Sequence, residues 1–300
     1  MTITRGTFAF VADLVRRRSA IVLEPGKEYL VESRLLPLAR AAGLDGVEAF
    51  VAHVRRTTDD RVLEAVVEAL TTNETSWFRD VAPFEALRDH VVPGWRATGR
   101  DGARLRVWSA ACSTGQEPYS VVMALADAVP GLDVLATDLS EQVLERARQG
   151  VYTQLEVNRG LPAPMLVRHM ARVGSGWRVG DEVRRAVTFR RHNLLDAPPA
   201  GPFDVVLLRN VLIYFDADAR RAVLERVRRA LRPGGWLVLG AAETTVGLHD
   251  GFEPVVLGRA PLYRVAAPVR PVPSAPVAPH RARAVPVSVV PTPAPGAGLR

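Results

Sequence analysis

Between Leu105 and Ser120 the chain runs Leu-Arg-Val-Trp-Ser-Ala-Ala-Cys-Ser-Thr-Gly-Gln-Glu-Pro-Tyr-Ser, which reads as a buried strand, a tight turn and the start of a helix. Leu105, Val107 and Trp108 suit the strand, and Ser113-Thr114-Gly115 lets the backbone turn. Pro118 fits the first turn of a helix that continues through Val121, Val122 and Leu125. An α/β sheet opens its ligand crevice at such a turn, so a nucleotide-like cofactor is expected here. Only Gly115 of a glycine-rich dinucleotide fingerprint is present, so the turn alone fits an ordinary strand-to-helix connection equally well.

The next segments extend the α/β pattern. Asp133-Val134-Leu135-Ala136-Thr137-Asp138 is a second strand, ending in an acid about twenty residues past the first turn, where such folds set a carboxylate on a ribose hydroxyl. Asp138 also suits a cap for the helix starting at Ser140, a role compatible with the first. Val187-Thr188-Phe189-Arg190 resumes a core strand and leads into His192-Asn193-Leu194-Leu195-Asp196. Phe203 to Leu208 is a nearly continuous apolar run, as expected of a parallel strand covered on both faces, and it ends in Arg209-Asn210. Val211 to Phe215 leads into a helix over Asp218 to Leu231, closed by Pro233-Gly234-Gly235, and Trp236 to Gly240 is another core strand. Phe252 to Leu257 and Leu262 to Val265 supply a closing antiparallel pair. Between Gly150 and Ala186 the pattern breaks, and the alternation around Trp177-Arg178-Val179 and Val183-Arg184 predicts a small inserted hairpin.

Upstream, residues 5 to 70 read as a helical module. Its apolar faces are Phe8/Val11/Ala12/Val15, Leu30/Leu35/Leu38, Val47/Phe50/Val51/Val54 and Val62/Leu63/Val66/Val67/Leu70. The second helix also carries Lys27, Arg34 and Arg40; a solvated charged face is the simpler reading, docking of an acidic partner the other. Thr71 to Ser76 is uniformly polar and runs into Trp77-Phe78-Arg79-Asp80. One polar residue suffices to cap a helix, so six in a row point to the lining of a site. A helix over Pro83 to His90 and a polar link near Gly99 to Gly102 lead into the sheet.

Composition removes several classes. No apolar run approaches the roughly 18 residues of a membrane span, and Asp13 with Arg16-Arg17-Arg18 breaks the N-terminal apolar segment, so neither insertion nor a signal peptide is expected. A cytoplasmic location follows as the default. Cys112 is the single cysteine and the six histidines form no ligand pair at helical spacing, so no disulfide framework or metal site is expected. Of the net charge of +7, four units come from Arg270, Arg281, Arg283 and Arg300 in an acid-free tail from Ala266 onward, which leaves the rest nearly balanced and argues against a nucleic-acid stripe. That tail, with nine prolines in 35 residues, reads as disordered or polyproline-like.

Six ordered blocks, Thr-Thr-Asn-Glu-Thr-Ser-Trp-Phe-Arg, Ala-Cys-Ser-Thr-Gly-Gln-Glu-Pro-Tyr-Ser, Ala-Thr-Asp, Asn-Leu-Leu, Arg-Asn-Val-Leu-Ile-Tyr-Phe and Leu-Arg-Pro-Gly-Gly, resemble the CheR family. These methyltransferases transfer a methyl group from S-adenosylmethionine to glutamates of chemotaxis receptors. The resemblance covers about residues 8 to 265. It implies an α/β fold, with a Rossmann-like class I methyltransferase domain over 76–265, a small β insertion over about 151–186, an all-α N-terminal domain over 1–75 and the tail over 266–300. By motif match it implies cofactor contacts at Asn73, Thr75, Arg79, Glu117, Asp138, Asn193, Leu194, Arg209 and Asn210. Glu117 and Asp138 suit hydroxyl or ammonium groups, whereas Asn193 and Asn210 have the amide pattern that reads adenine or a backbone edge. Arg79 and Tyr214 match positions that organise the reacting centre, although a core aromatic with its hydroxyl at the surface is the alternative for Tyr214. Arg34 and Arg40 are the candidate substrate contacts, and the partner is the cytoplasmic domain of a chemoreceptor, met by a monomer. Trp77, Ala241-Ala242 before Glu243, and Arg168-His169-Met170 depart from the usual pattern, and the insertion is compact around Gly174-Ser175-Gly176.

Overall fold

The computed structural model describes residues 3–99, 103–129 and 131–266. The Pro-rich tail beyond Ala266 and part of the link at Gly99 to Gly102 lie outside the described residues.

Four helices open the chain: α1 (Arg5–Ser19), α2 (Glu28–Ala41), α3 (Gly46–Val54) and α4 (Asp60–Ala69). Their apolar faces close on one another in a core of Phe8, Val11, Val15, Val31, Leu35, Phe50, Val51 and Val66. On α2 the buried stripe is Val31, Leu35 and Ala39, one residue round from the expected Leu30/Leu35/Leu38 face. Leu30 and Leu38 instead flank it, half-buried.

After a polar, non-helical segment at 71–76, α5 (Ala82–Ala86), a π-turn (Leu87–Val91) and α6 (Val92–Arg96) run on as one rod, so helical structure continues past the expected end at His90. Next come β1 (Leu105–Ala110), α7 (Gln116–Leu125), β2 (Leu132–Asp138) and α8 (Glu141–Gln149). An insertion then holds β3 (Val151–Thr153), α9 (Gln154–Asn158), α10 (Ala163–His169), β4 (Met170–Val173) and β5 (Gly176–Val179). The chain finishes with α11 (Asp181–Arg185), β6 (Val187–Arg191), β7 (Phe203–Leu208), a 3₁₀ turn (Leu212–Tyr214), α12 (Ala217–Ala230), β8 (Leu231–Leu239), β9 (Phe252–Leu257) and β10 (Ala260–Val265).

Seven strands form the main sheet in the order β6-β2-β1-β7-β8-β10-β9, the first five parallel and the last two antiparallel to their neighbours. The chain leaves β1 toward β2 and β6, then crosses back to β7, so the topological switch lies between β1 and β7. Ligand crevices of open α/β sheets form at that point, outside the carboxyl ends of the strands. β1 is covered on both faces, Leu105 and Val107 on one and Trp108 and Ala110 on the other. That double burial is why its sequence lacks polar alternation.

The insertion carries a three-stranded antiparallel sheet ordered β3-β5-β4. Its hairpin joins β4 to β5 through Gly174-Ser175, whereas Val183 and Arg184, expected in that hairpin, lie on α11. Val183 is buried and Arg184 turns back to the Arg148 carbonyl, so a one-turn helix mimics strand alternation over two residues. Likewise Pro233-Gly234-Gly235 falls inside β8, which begins at Leu231, rather than in a separate closing turn. No helix among the described residues is long and apolar enough to cross a membrane.

Candidate functional site

A cleft of about 910 Å³ opens at the carboxyl edge of the sheet. Four strand ends feed it: Ala111 to Ser113 after β1, Asp138 and Leu139 at the end of β2, His192 to Leu194 after β6, and Arg209 to Val211 after β7. The facing wall belongs to the helical region, with Ser19 at the end of α1, Ile21 just past it and the whole polar segment Thr71 to Ser76. The expected residues Asn73, Thr75, Arg79, Glu117, Asp138, Asn193, Leu194, Arg209, Asn210 and Tyr214 all line this one cleft. Arg34 and Arg40 do not. Arg34 donates to the Thr71 carbonyl at 2.5 Å and so braces the polar segment from behind, while Arg40 is exposed near the end of α2.

Local backbone geometry explains the lining. Ala111, Ser113 and Gly115 all have left-handed φ, at 61°, 50° and 93°, so the chain leaves β1 in a tight coil. Gly115 is required twice over, since a Cβ there would also fall 2.9 Å from the Ala147 Cβ on α8. The Ser113 N–H and the Ser140 N–H donate to the two oxygens of Asp138, at 2.8 and 3.0 Å, while Ser140 itself caps α8. Asp138 therefore pins the first turn to the second, and burial pushes its carboxyl above the usual carboxylate range. Cys112 is buried, its thiol pushed well up by that burial, so it is a packing residue and a poor nucleophile.

At the base of the cleft Glu117 sits in the first turn of α7. Its carboxylate accepts from the Ser109 hydroxyl at 2.8 Å and from Arg209 at 3.1 Å. Arg209, with a side chain only 1% exposed, also donates to the Arg79 carbonyl and the Asp80 carboxylate, both at 2.8 Å. This guanidinium thus carries the left-handed turn at Phe78 and Asp80 (φ 44° and 55°) and holds Glu117 in place. Asp80 is a partner that sequence reasoning missed; its adjacency to Arg79 was the only signal.

The amide of Asn193 is committed to the protein, its nitrogen to the Arg18 carbonyl at 2.7 Å and its oxygen to the Leu195 N–H at 3.0 Å. It fastens α1 to the end of β6, which leaves its backbone and Leu194 to face a ligand. The Asn73 nitrogen donates to Thr71 Oγ1, and its carbonyl accepts from Ser113, tying the polar segment to the β1 turn. Thr75, Arg79 and the Tyr214 hydroxyl carry no side-chain partner among the described residues. His192, also missed, stands edge-on to Trp108 with its Nε2 3.0 Å from the Ala197 carbonyl. Since that carbonyl only accepts, Nδ1 is left as a buried acceptor without a partner among the described residues.

The donor set suits a cationic nucleoside. Two carboxylates are present for hydroxyl and ammonium groups, and His192 offers an orphaned acceptor. Among the described residues no cluster of His, Cys, Asp and Glu able to hold a metal ion occurs.

Comparison with known proteins agrees with this assembly. Residues 6–71 match the all-alpha domain of CheR methyltransferases, and residues 73–259 match their S-adenosylmethionine-binding domain. The chain is 41% identical over 275 residues to chemotaxis protein methyltransferase 1 of Pseudomonas aeruginosa, spanning 88% of this chain and 99% of that one. It is 37% identical over 274 residues to the chemotaxis protein methyltransferase of Vibrio parahaemolyticus, covering 88% and 98% of the two chains. The Salmonella typhimurium protein of that name shares 37% over 257 residues, covering 82% and 86%. The chain belongs to the CheR family of S-adenosylmethionine-dependent chemotaxis protein methyltransferases.

Proposed function

We propose that this enzyme methylates glutamate side-chain carboxylates on the cytoplasmic domain of chemotaxis receptors, acting in the cytoplasm as a monomer and leaving glutamyl methyl esters. The observation that carries this reading is Arg79. Arg79 lines the cleft together with Glu117 and Asp138, whose carboxylates are already held, and its guanidinium has no partner among the described residues, so it offers a free cation to an incoming anion.

S-adenosylmethionine, when bound, supplies an electrophilic methyl group on a sulfonium. Asp138 would receive ribose hydroxyls, Glu117 the ammonium, and Asn73, Thr75, Leu194 and Asn210 would frame the remainder. Arg209 contributes from behind by holding Glu117 and the Arg79 turn. A glutamate with pKa near ~4.3 is ionised at neutral pH, so no general base is needed. The protein's task is positioning: Arg79 grips the carboxylate and Tyr214 fixes its approach, and alignment of this kind is worth roughly 7–11 kcal/mol. On the receptor, each ester removes one negative charge, a change that a bistable helix bundle can read.

The test is to incubate the purified enzyme with methyl-labelled S-adenosylmethionine and membranes holding chemoreceptors, then treat the labelled receptor with mild base. Label released as methanol is expected. Base-stable label, or binding of the cofactor by calorimetry with no receptor labelled, would overturn the assignment.

A further inference from the structure

Glu243 lies outside the cleft lining, yet its carboxylate collects four backbone N–H groups. Oε2 accepts from Gly240 at 2.7 Å and Asn210 at 2.8 Å, and Oε1 from Val211 at 2.9 Å and Leu212 at 2.7 Å. Three of these donors are consecutive. They converge because Asn210 is left-handed, with φ of 59°, and Val211 returns to negative φ, the alternation that makes a backbone nest for an anion. An ionised acceptor roughly doubles the strength of each bond. Room for the carboxylate comes from Gly240, where a Cβ would fall 2.7 Å from the Asn210 amide nitrogen and 2.8 Å from Glu243 Oε2.

The loop fastened in this way, Asn210 to Tyr214, is the part of the rim that leaves β7 and ends at the tyrosine hydroxyl. Its far end is tied by the Tyr214 carbonyl, which accepts from the Val22 N–H at 2.9 Å, and by the bridge between Ile21 and Phe215. Its near end is held by Glu243. We propose that Glu243 is a positioning residue for methyl transfer, setting the Asn210–Leu212 turn and through it the place of Tyr214. The inference rests on the role given to Tyr214 above.

Steady-state kinetics on receptor membranes test it with Glu243→Gln, Tyr214→Phe, the double variant and Gly240→Ala. The glutamine keeps the volume but turns an NH₂ toward two N–H donors. Its kcat should fall on the order of 10²-fold, while the KM for S-adenosylmethionine moves by about threefold or less. In the Tyr214→Phe background the same change should cost about threefold or less, because the loop no longer presents a hydroxyl. Gly240→Ala, which crowds the carboxylate from the other side, should reproduce the kcat loss. Wild-type kcat in Glu243→Gln beside a large loss in Tyr214→Phe overturns the inference and leaves the tyrosine's role standing. Losses that multiply in the double variant, or a lowered melting temperature with kcat unchanged, also overturn it. Wild-type kcat in Tyr214→Phe removes both.

Discussion

The two walls of the cleft are built on opposite plans. On the sheet side the charged groups are already held: Asp138 by two N–H groups, Glu117 by Ser109 and Arg209, and Arg209 by Glu117, Asp80 and the Arg79 carbonyl. On the helical side Thr72, Thr75 and Ser76, together with Arg79 at the rim, have no side-chain partners among the described residues. A wall whose charges are satisfied in advance costs no reorganisation when a ligand arrives, which is the condition for electrostatic preorganisation. A wall of unpartnered groups is where the ligand itself completes the bonding. Substitutions of the held charges Asp138, Glu117 and Arg209 should therefore register as stability, and those of the unpartnered groups, Tyr214 included, as turnover.

The largest effect is expected at Arg209. Arg209→Ala strips the counter-ion from Glu117, whose side chain is only 13% exposed, and breaking such a pair costs about 3–5 kcal/mol, readable as a shift in the urea midpoint. An unchanged midpoint would show that the sheet wall is not held by this guanidinium. Next is Arg79→Ala, which should leave the midpoint at the wild-type value while kcat falls by about 10²–10³-fold, the loss typical of a deleted charge-stabilising donor. Equal losses of stability and rate would erase the contrast between the walls.

Smaller again is Glu68→Ala. From the end of α4 this carboxylate accepts from the Ser140 hydroxyl and the Gln142 N–H at the head of α8, joining the helical wall to the Asp138 turn. Its removal should lower stability by about 1–2 kcal/mol and weaken cofactor binding in calorimetry. The smallest expected effect is a pH dependence at Asp138. Burial raises its folded-state carboxyl above the unfolded value of 3.8, so the folded chain binds the proton more tightly, and stability declines as pH rises through the window just above 3.8. Asp138→Asn should flatten that decline in thermal melts between pH 4 and neutrality.

Much of this was legible from residue order. Strand β1 through the start of α7, the acid at the end of β2, the apolar run of β7 and the polar segment before Trp77 each carry a local signature, and the strand-end positions followed from topology. What failed was where two local patterns coincide. Val183-Arg184 alternates like a strand but sits on a one-turn helix, and on α2 the leucines lost the core to Val31 and Ala39 because neighbouring helices decide which stripe is covered. The side-chain partners were invisible for another reason. Asn193 and Arg18 are 175 residues apart and Arg209 and Asp80 are 129 apart, so neither pairing leaves a trace in spacing.

Sequence by itself therefore determined the main strands and helices and the sheet edge at which the cleft opens, because hydrophobic periodicity and turn chemistry act over a few neighbours, while the family resemblance named the residues that line it. Tertiary structure alone decided what each of those residues is free to do. Whether a carboxylate, amide or guanidinium is spent on the protein or left for a ligand depends on which distant N–H, carbonyl or charge the fold brings within about 3 Å, and no local pattern encodes that distance.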